Sequence, residues 1–153
     1  MRRYLKIFFL LISPFLMLCC KTLPEENSEG IYIMVYDYEN NALKDVRIML
    51  DEVEIGRTDI YGRYIFKNNN DENKTLIFTK QGYENIKVDI NDQRNQVLYI
   101  KLGSGQYYAA LSEQYLDEKK YDAAMNYINK ALECETRSDY LYLKEVIISR
   151  CEK

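Results

Sequence analysis

Cysteine offers the most distinctive chemistry in this chain, because a thiol can be oxidised, can bind a metal or can be acylated. Four cysteines occur, and two of them are adjacent, at Cys19 and Cys20. They follow a basic segment, residues 1–6, and an apolar run, residues 7–18. A basic segment followed by about 7–15 apolar residues is typical of a secretory signal, and it is shorter than the roughly 20 residues of a membrane span. The spacing therefore predicts export, with a thiol at the end of the signal.

The sequence around this thiol pair, Leu16-Met17-Leu18-Cys19-Cys20, resembles a bacterial lipobox. In that motif the signal is cleaved before a cysteine that becomes diacylated. Cys20 is the favoured anchor because the small Cys19 precedes it, and Cys19 is the alternative. The resemblance implies a lipoprotein of the bacterial cell envelope, with a signal peptide at 1–19 and a polar tether at 20–29. It would be lipid-anchored in the outer membrane or at the periplasmic face. A plain secretory signal or an uncleaved anchor is the competing interpretation.

The charge of the cleaved chain limits its partners. Loss of Arg2, Arg3 and Lys6 lowers the number of basic residues from 21 to 18, against 24 acidic ones, for a net charge of −6. An acidic chain lacks the basic surface that holds nucleic acid, so we expect no nucleic-acid partner. Acyl chains rather than a basic patch must hold it on a membrane, at about 0.8 kcal/mol for each buried CH₂ group.

Catalytic chemistry has little support in the composition. The chain has no histidine, which removes Ser-His and Cys-His nucleophile activation and the usual zinc sites. The oxygen-rich segments 68–74 and 91–95 lack the residue order of an EF-hand loop. Asp59 with Asp51 or Glu52 could be considered as a cation site, but a turn role for Asp59 is favoured. We therefore predict a protein without catalytic residues, metal or cofactor.

Residues 30–102 show the period-two pattern of β-strands. In the first run, Ile31, Ile33 and Val35 alternate with Tyr32 and Met34. About seven such short runs, separated by turn-forming residues every roughly 8–12 positions, predict a small antiparallel β-sandwich. Helical patterns do not interrupt the runs, which argues against a parallel sheet.

Within this region the sequence resembles a carboxypeptidase regulatory-like domain, a transthyretin-like β-sandwich. The motif is Thr58-Asp59-Ile60-Tyr61-Gly62-Arg63-Tyr64, and a Gly82-Tyr83 pair follows it. Asp59 can accept bonds from backbone N–H groups two residues on, in an Asx-turn, and Gly62 can take a positive φ. Tyr64 and Phe66 then point inward. The resemblance implies a scaffolding or binding role.

From residue 105 to residue 153 the period becomes helical. The pattern is similar to a tetratricopeptide repeat, followed by a capping helix from Ser138 or Asp139 to Cys151. The residues that match the packing positions of such a repeat are Tyr108, Leu111, Ser112, Tyr115, Ala124, Ile128 and Ala131. One repeat plus one helix buries too little core alone, so the hairpin must lean on the β-domain, on another copy or on a partner.

The sequence thus predicts an α+β protein, with a sandwich of about seven strands at 30–102 and a three-helix segment at 105–153. We expect a membrane-anchored protein-interaction or assembly module that binds another envelope protein or itself. The alternative is a surface adhesin or glycan-binding sandwich, because Tyr32, Tyr36 and Tyr38 share one strand face. Packing of these rings against the helices is the other interpretation of that face. Cys134 and Cys151 are predicted to be reduced, since about 13 helical residues separate the start of the third helix from Cys151.

Overall fold

The computed structural model describes residues 30–67, 74–90 and 97–151. The predicted signal peptide and tether, most of segment 68–74 and the whole of segment 91–95 lie outside these residues. The described residues form strands followed by helices, as the fold-class prediction required. The elements are β1 (Ile31–Asp37), β2 (Arg47–Leu50), β3 (Val53–Arg57), β4 (Arg63–Phe66), β5 (Lys74–Thr79), β6 (Ile86–Ile90), β7 (Val97–Leu102), α1 (Gly105–Asp117), α2 (Tyr121–Cys134) and α3 (Ser138–Cys151).

The strands form two sheets, one of three strands in the order β4-β1-β7 and one of four in the order β3-β2-β5-β6. Their inward side chains make one apolar core, because alternate residues of a strand share a face. Ile31, Ile33 and Val35 of β1 are at most 1% exposed, and Phe66 of β4 is 5% exposed. Tyr64 is half-buried and packs against the same core.

One strand pair differs from the antiparallel expectation. The pairs β1–β4, β2–β3, β2–β5 and β5–β6 are antiparallel, but β1 and β7 run parallel, with Tyr32 opposite Val97 and Asp37 opposite Leu102. Parallel neighbours need a long crossover connection, which is usually a helix. Here strands of both sheets supply it, so the absence of a helical pattern did not exclude a parallel pair.

This parallel pair determines where the helices lie. β1 begins beside residue 30 and ends at Asp37, and β7 ends next to it at Leu102. Helix α1 starts three residues later, at Gly105, with Ser104 as N-cap accepting a bond from the Tyr107 N–H at 3.0 Å. The helices therefore lie at the end of the sandwich opposite to the end where the chain enters it.

The helices have a separate core. It contains Ala124, Ile128 and Ala131 of α2, each 0% exposed, together with Tyr108 of α1 and Ile147 of α3. Helix α2 packs against α1 on one side and α3 on the other. Among the described residues no helix is long and apolar enough to span a membrane.

Candidate functional site

The turn motif around Thr58 ties two segments of the sandwich together. Thr58 is 3% exposed. Its hydroxyl donates to the Leu43 carbonyl at 2.6 Å and accepts from the Val46 N–H at 2.9 Å. Both polar capacities of this buried side chain are thus used within the fold.

Both carboxylate oxygens of Asp59 accept hydrogen bonds from residues of the same turn. Its Oδ1 accepts from the backbone N–H groups of Tyr61 and Arg63, each at 2.8 Å, and its Oδ2 accepts from Arg63 Nε at 3.1 Å. These bonds, led by the Arg63 backbone N–H, hold the pKa of the Asp59 carboxyl below its ordinary value. The side chain makes the expected Asx-turn, and both of its oxygens accept hydrogen bonds within that turn.

Gly62 and Tyr64 complete the motif through backbone geometry and packing. Gly62 has a φ of +72°, and a Cβ atom added there would lie 2.4 Å from the Val35 carbonyl oxygen. The Tyr64 hydroxyl donates to the Ile55 carbonyl at 2.8 Å, and its ring lies against Gly56. All four motif residues therefore have a structural role in the sandwich.

The helical-repeat residues predicted from spacing lie in one place. Tyr108, Ser112, Ala124, Ile128 and Ala131 are all buried. Leu111 and Tyr115 are half-buried and pack against the same cluster. These side chains fill the interface between α1 and α2, so they have a packing role.

A chain of stacked tyrosines joins the sandwich to the helices. The Tyr38 ring stacks on Tyr107, with centroids 5.1 Å apart, and Tyr108 stacks on Tyr127 at 6.2 Å. Tyr107 and Tyr108 meet edge to face at 5.6 Å. The predicted strip of Tyr32, Tyr36 and Tyr38 is therefore divided, because Tyr38 packs against α1.

Glu84, which the sequence analysis did not single out, lies at the centre of this junction. Its Oε1 accepts from the Gly103 N–H at 2.6 Å, and its own N–H donates to the Gly103 carbonyl at 2.9 Å. Burial, together with the Glu84 carboxylate, raises the pKa of Tyr38 and that of Tyr108. Both phenols therefore stay protonated. Together with Glu84 and Gly103, they hold the helices against the sandwich.

The two described cysteines are free thiols. Cys134 is half-buried, with its Sγ 3.8 Å from the Gly103 carbonyl oxygen. Burial, with Glu84 and two neighbouring carboxylates, raises the pKa of Cys134 to about 11. A thiol that remains protonated is a poor nucleophile. Cys151 is exposed at the end of α3.

The three-stranded sheet has an apolar surface on its side away from the core. We define the outer face as Tyr32, Met34, Ile65, Val97 and Tyr99. The pairing places Tyr32 between Ile65 and Val97, and Met34 beside Tyr99. Exposure is 41% for Tyr32, 45% for Ile65, 50% for Val97 and 66% for Tyr99. A groove of about 670 Å³ lies over these residues.

The border of the outer face carries basic groups. Arg63 lines the groove, with its Nη2 3.1 Å from Asp59 Oδ2 and its guanidinium 4.6 Å from the centre of the Tyr61 ring. Exposed Lys101 continues the outer side of β7, where its Nζ donates to Asn40 Oδ1 at 2.8 Å. The period-two pattern of the sequence divides each strand into two faces. Burial in the folded protein shows which of these faces is the outer one.

A second exposed apolar surface lies on α3. Tyr140 and Ile147 are buried against the other helices, while Leu141, Tyr142 and Ile148 are 46%, 69% and 42% exposed. We call these three residues the α3 surface. It is at the helical end of the molecule, away from residue 30.

Comparison with models of known protein families finds no match for this chain, and comparison with curated proteins finds no significant relative. The resemblances to lipoproteins, to regulatory-like sandwiches and to tetratricopeptide repeats therefore remain predictions.

Proposed function

We propose that this chain is a bacterial envelope lipoprotein, acylated at Cys20, whose folded part is a non-enzymatic module that binds another envelope protein. The observation that carries the proposal is the parallel β1–β7 pair. Since β1 starts directly after residue 30 and β7 leads into α1, the helices lie at the end of the sandwich opposite to residue 30. An anchored chain with this topology leaves its helical end accessible.

The junction supports the proposal because it fixes the direction of the helices. Besides the Tyr38–Tyr107 stack, the Gly105 N–H donates to the Gly82 carbonyl at 2.9 Å, and Glu84 bonds Gly103 in both directions. A helical unit held by stacking and backbone bonds keeps one orientation relative to the sandwich. This preorganisation lowers the entropy lost when a partner binds.

The α3 surface is the part of the helical end that we assign to the partner. Leu141 and Ile148 lie seven residues apart on one side of α3, and tyrosine is enriched among the residues that dominate binding energy. Tyr142 is the most exposed member, at 69%. We expect a partner that buries Tyr142 together with Leu141 and Ile148.

Metabolic labelling tests the anchor. Labelled palmitate should enter the wild-type protein and Cys19→Ser, and it should be absent from Cys20→Ser. Label that survives Cys20→Ser but disappears in Cys19→Ser would move the anchor by one residue. A wild-type protein that takes up no label would refute the lipoprotein proposal.

A photocrosslinking experiment tests the partner. Intact cells expressing the protein with a photoreactive residue at position 145, between Leu141 and Ile148 on α3, should give a discrete adduct. The adduct should be lost with Tyr142→Ser and kept with Tyr61→Ser, a matched control that is 58% exposed in the β3–β4 turn. Equal adducts in both variants would exclude the α3 surface as the binding site.

A further inference from the structure

We propose that the outer face of the three-stranded sheet binds the headgroup region of the lipid surface on which the chain is anchored. The inference deepens the proposed function and rests on anchoring at the end of the tether. The occupant is a zwitterionic lipid surface, and the surface of the protein that meets it is Tyr32, Met34, Ile65, Val97 and Tyr99.

The first argument is the length of chain between the anchor and the sheet. Nine residues, 21–29, separate Cys20 from residue 30. Even fully extended they reach only about 30 Å. The row of Ile65, Tyr32 and Val97 lies at the start of β1, immediately after this segment. An acylated Cys20 therefore keeps the start of β1, and with it this row of the outer face, within reach of the bilayer.

The second argument is the chemistry of the face. Tyrosine is enriched at membrane–water interfaces because its ring is apolar and its hydroxyl is polar. Around Tyr32 and Tyr99 the neighbours are aliphatic, namely Met34, Ile65 and Val97. A glycan would need polar side chains available beside the rings, whereas Asp59 and Arg63, the charged residues that line the groove, already bond each other.

The third argument is the charge at the border. Asp59 is the carboxylate that lines the groove among the described residues, and Arg63 neutralises it at 3.1 Å. Lys101 lies on the same side of the sheet as Tyr99, two residues further along β7. Arg and Lys side chains extend toward headgroup phosphates while their stems contact apolar groups. Among the described residues, this face therefore carries no net negative charge.

The test uses the absence of tryptophan from the chain. Tyr99→Trp and Val97→Trp each place a unique fluorophore on the outer face. Tyr142→Trp, on α3, is the matched control, since Tyr99 and Tyr142 are 66% and 69% exposed. Residues 21–153 with an N-terminal hexahistidine tag are held on phosphatidylcholine vesicles that contain nickel-chelating lipid. This attachment is independent of acylation, so the result does not depend on whether Cys20 is the natural anchor.

Each variant is measured on vesicles with brominated acyl chains and on otherwise identical plain vesicles, so that quenching by nickel cancels. We expect Tyr99→Trp and Val97→Trp to lose emission in the brominated vesicles and to shift to shorter wavelength, with Tyr142→Trp unchanged. If each of the three variants has the same emission on brominated as on plain vesicles, the proposal is overturned and a protein partner is the occupant of the face. A blue shift of Tyr99→Trp without vesicles, with a doubled mass in solution, would overturn it in favour of a second copy.

Discussion

The hydroxyl of Ser112 on α1 donates a hydrogen bond to the backbone carbonyl of Ala124 on α2, at 2.7 Å, and both residues are 0% exposed. A side chain can bond the backbone of a neighbouring helix only where the two helices approach closely. Small residues at 112 and 124 permit this approach, and the contact holds the helical hairpin together.

Ala124→Leu should destabilise the helical unit by overpacking this contact, at a cost of about 1–3 kcal/mol. The control is Ala110→Leu, which makes the same change at an exposed position of α1 and should alter stability by less than about 0.5 kcal/mol. Urea unfolding followed by circular dichroism at a helical wavelength measures both. Equal midpoints for the two variants would contradict the close approach at Ala124.

Thr58→Val should destabilise the sandwich, because it removes the bonds to Leu43 and Val46 while keeping the shape of the side chain. The Val46 N–H would then be buried without its partner, which costs about 1–3 kcal/mol. Thr58→Ser keeps the hydroxyl and should recover most of the loss. Chemical denaturation of both variants decides the matter, and a stability of Thr58→Val equal to that of wild type would rule out this role.

Gly62→Ala should be more harmful than Gly82→Ala. Both glycines have a positive φ, +72° and +78°, so each substitution carries backbone strain of roughly 1–2 kcal/mol. Only at Gly62 does the added Cβ also meet backbone, 2.4 Å from the Val35 carbonyl oxygen, whereas at Gly82 the nearest atom is 3.8 Å away. Comparing the melting temperatures of the two variants isolates the clash, and a larger loss for Gly82→Ala would refute it.

The Asp59 turn should make stability depend on pH at the acid end. Its folded pKa lies below the ordinary value, because backbone N–H groups and Arg63 favour the carboxylate. The contribution is therefore complete above the unfolded pKa of about 3.9 and is lost as the pH falls through the folded pKa. We expect the stability difference between wild type and Asp59→Ala to shrink below about pH 4. A difference that stays constant down to pH 2 would exclude the carboxylate as its source.

The positions of strands and helices followed from local patterns. Alternation in β1 gave Ile31, Ile33 and Val35 as inward residues, and the Thr58–Tyr64 motif gave its Asx-turn, because both depend on neighbours within a few residues. The spacing from Tyr108 to Ala131 likewise gave the side chains that fill the α1–α2 interface.

Long-range contacts did not follow in the same way. Strand parity left Tyr38 open to two roles, ligand binding or packing against the helices, and only the folded structure shows that its ring stacks on Tyr107 of α1. Glu84 gave no signal, because its role depends on Gly103, which is 19 residues away in the chain. The outer face could not be predicted from the sequence, because its residues come together only when β4 and β7 flank β1.

By itself the sequence determined the order of about seven strands and three helices, the inward side of β1, and the turn at Asp59. These follow from side-chain periodicity and from backbone preferences that act within a few residues. Only the tertiary structure decided that β1 and β7 are parallel neighbours, that the helices lie at the end of the sandwich opposite to residue 30, and that Tyr32, Ile65 and Val97 share a row. A period of two is the same for parallel and antiparallel strands, and the choice of neighbour depends on contacts between residues far apart in the chain.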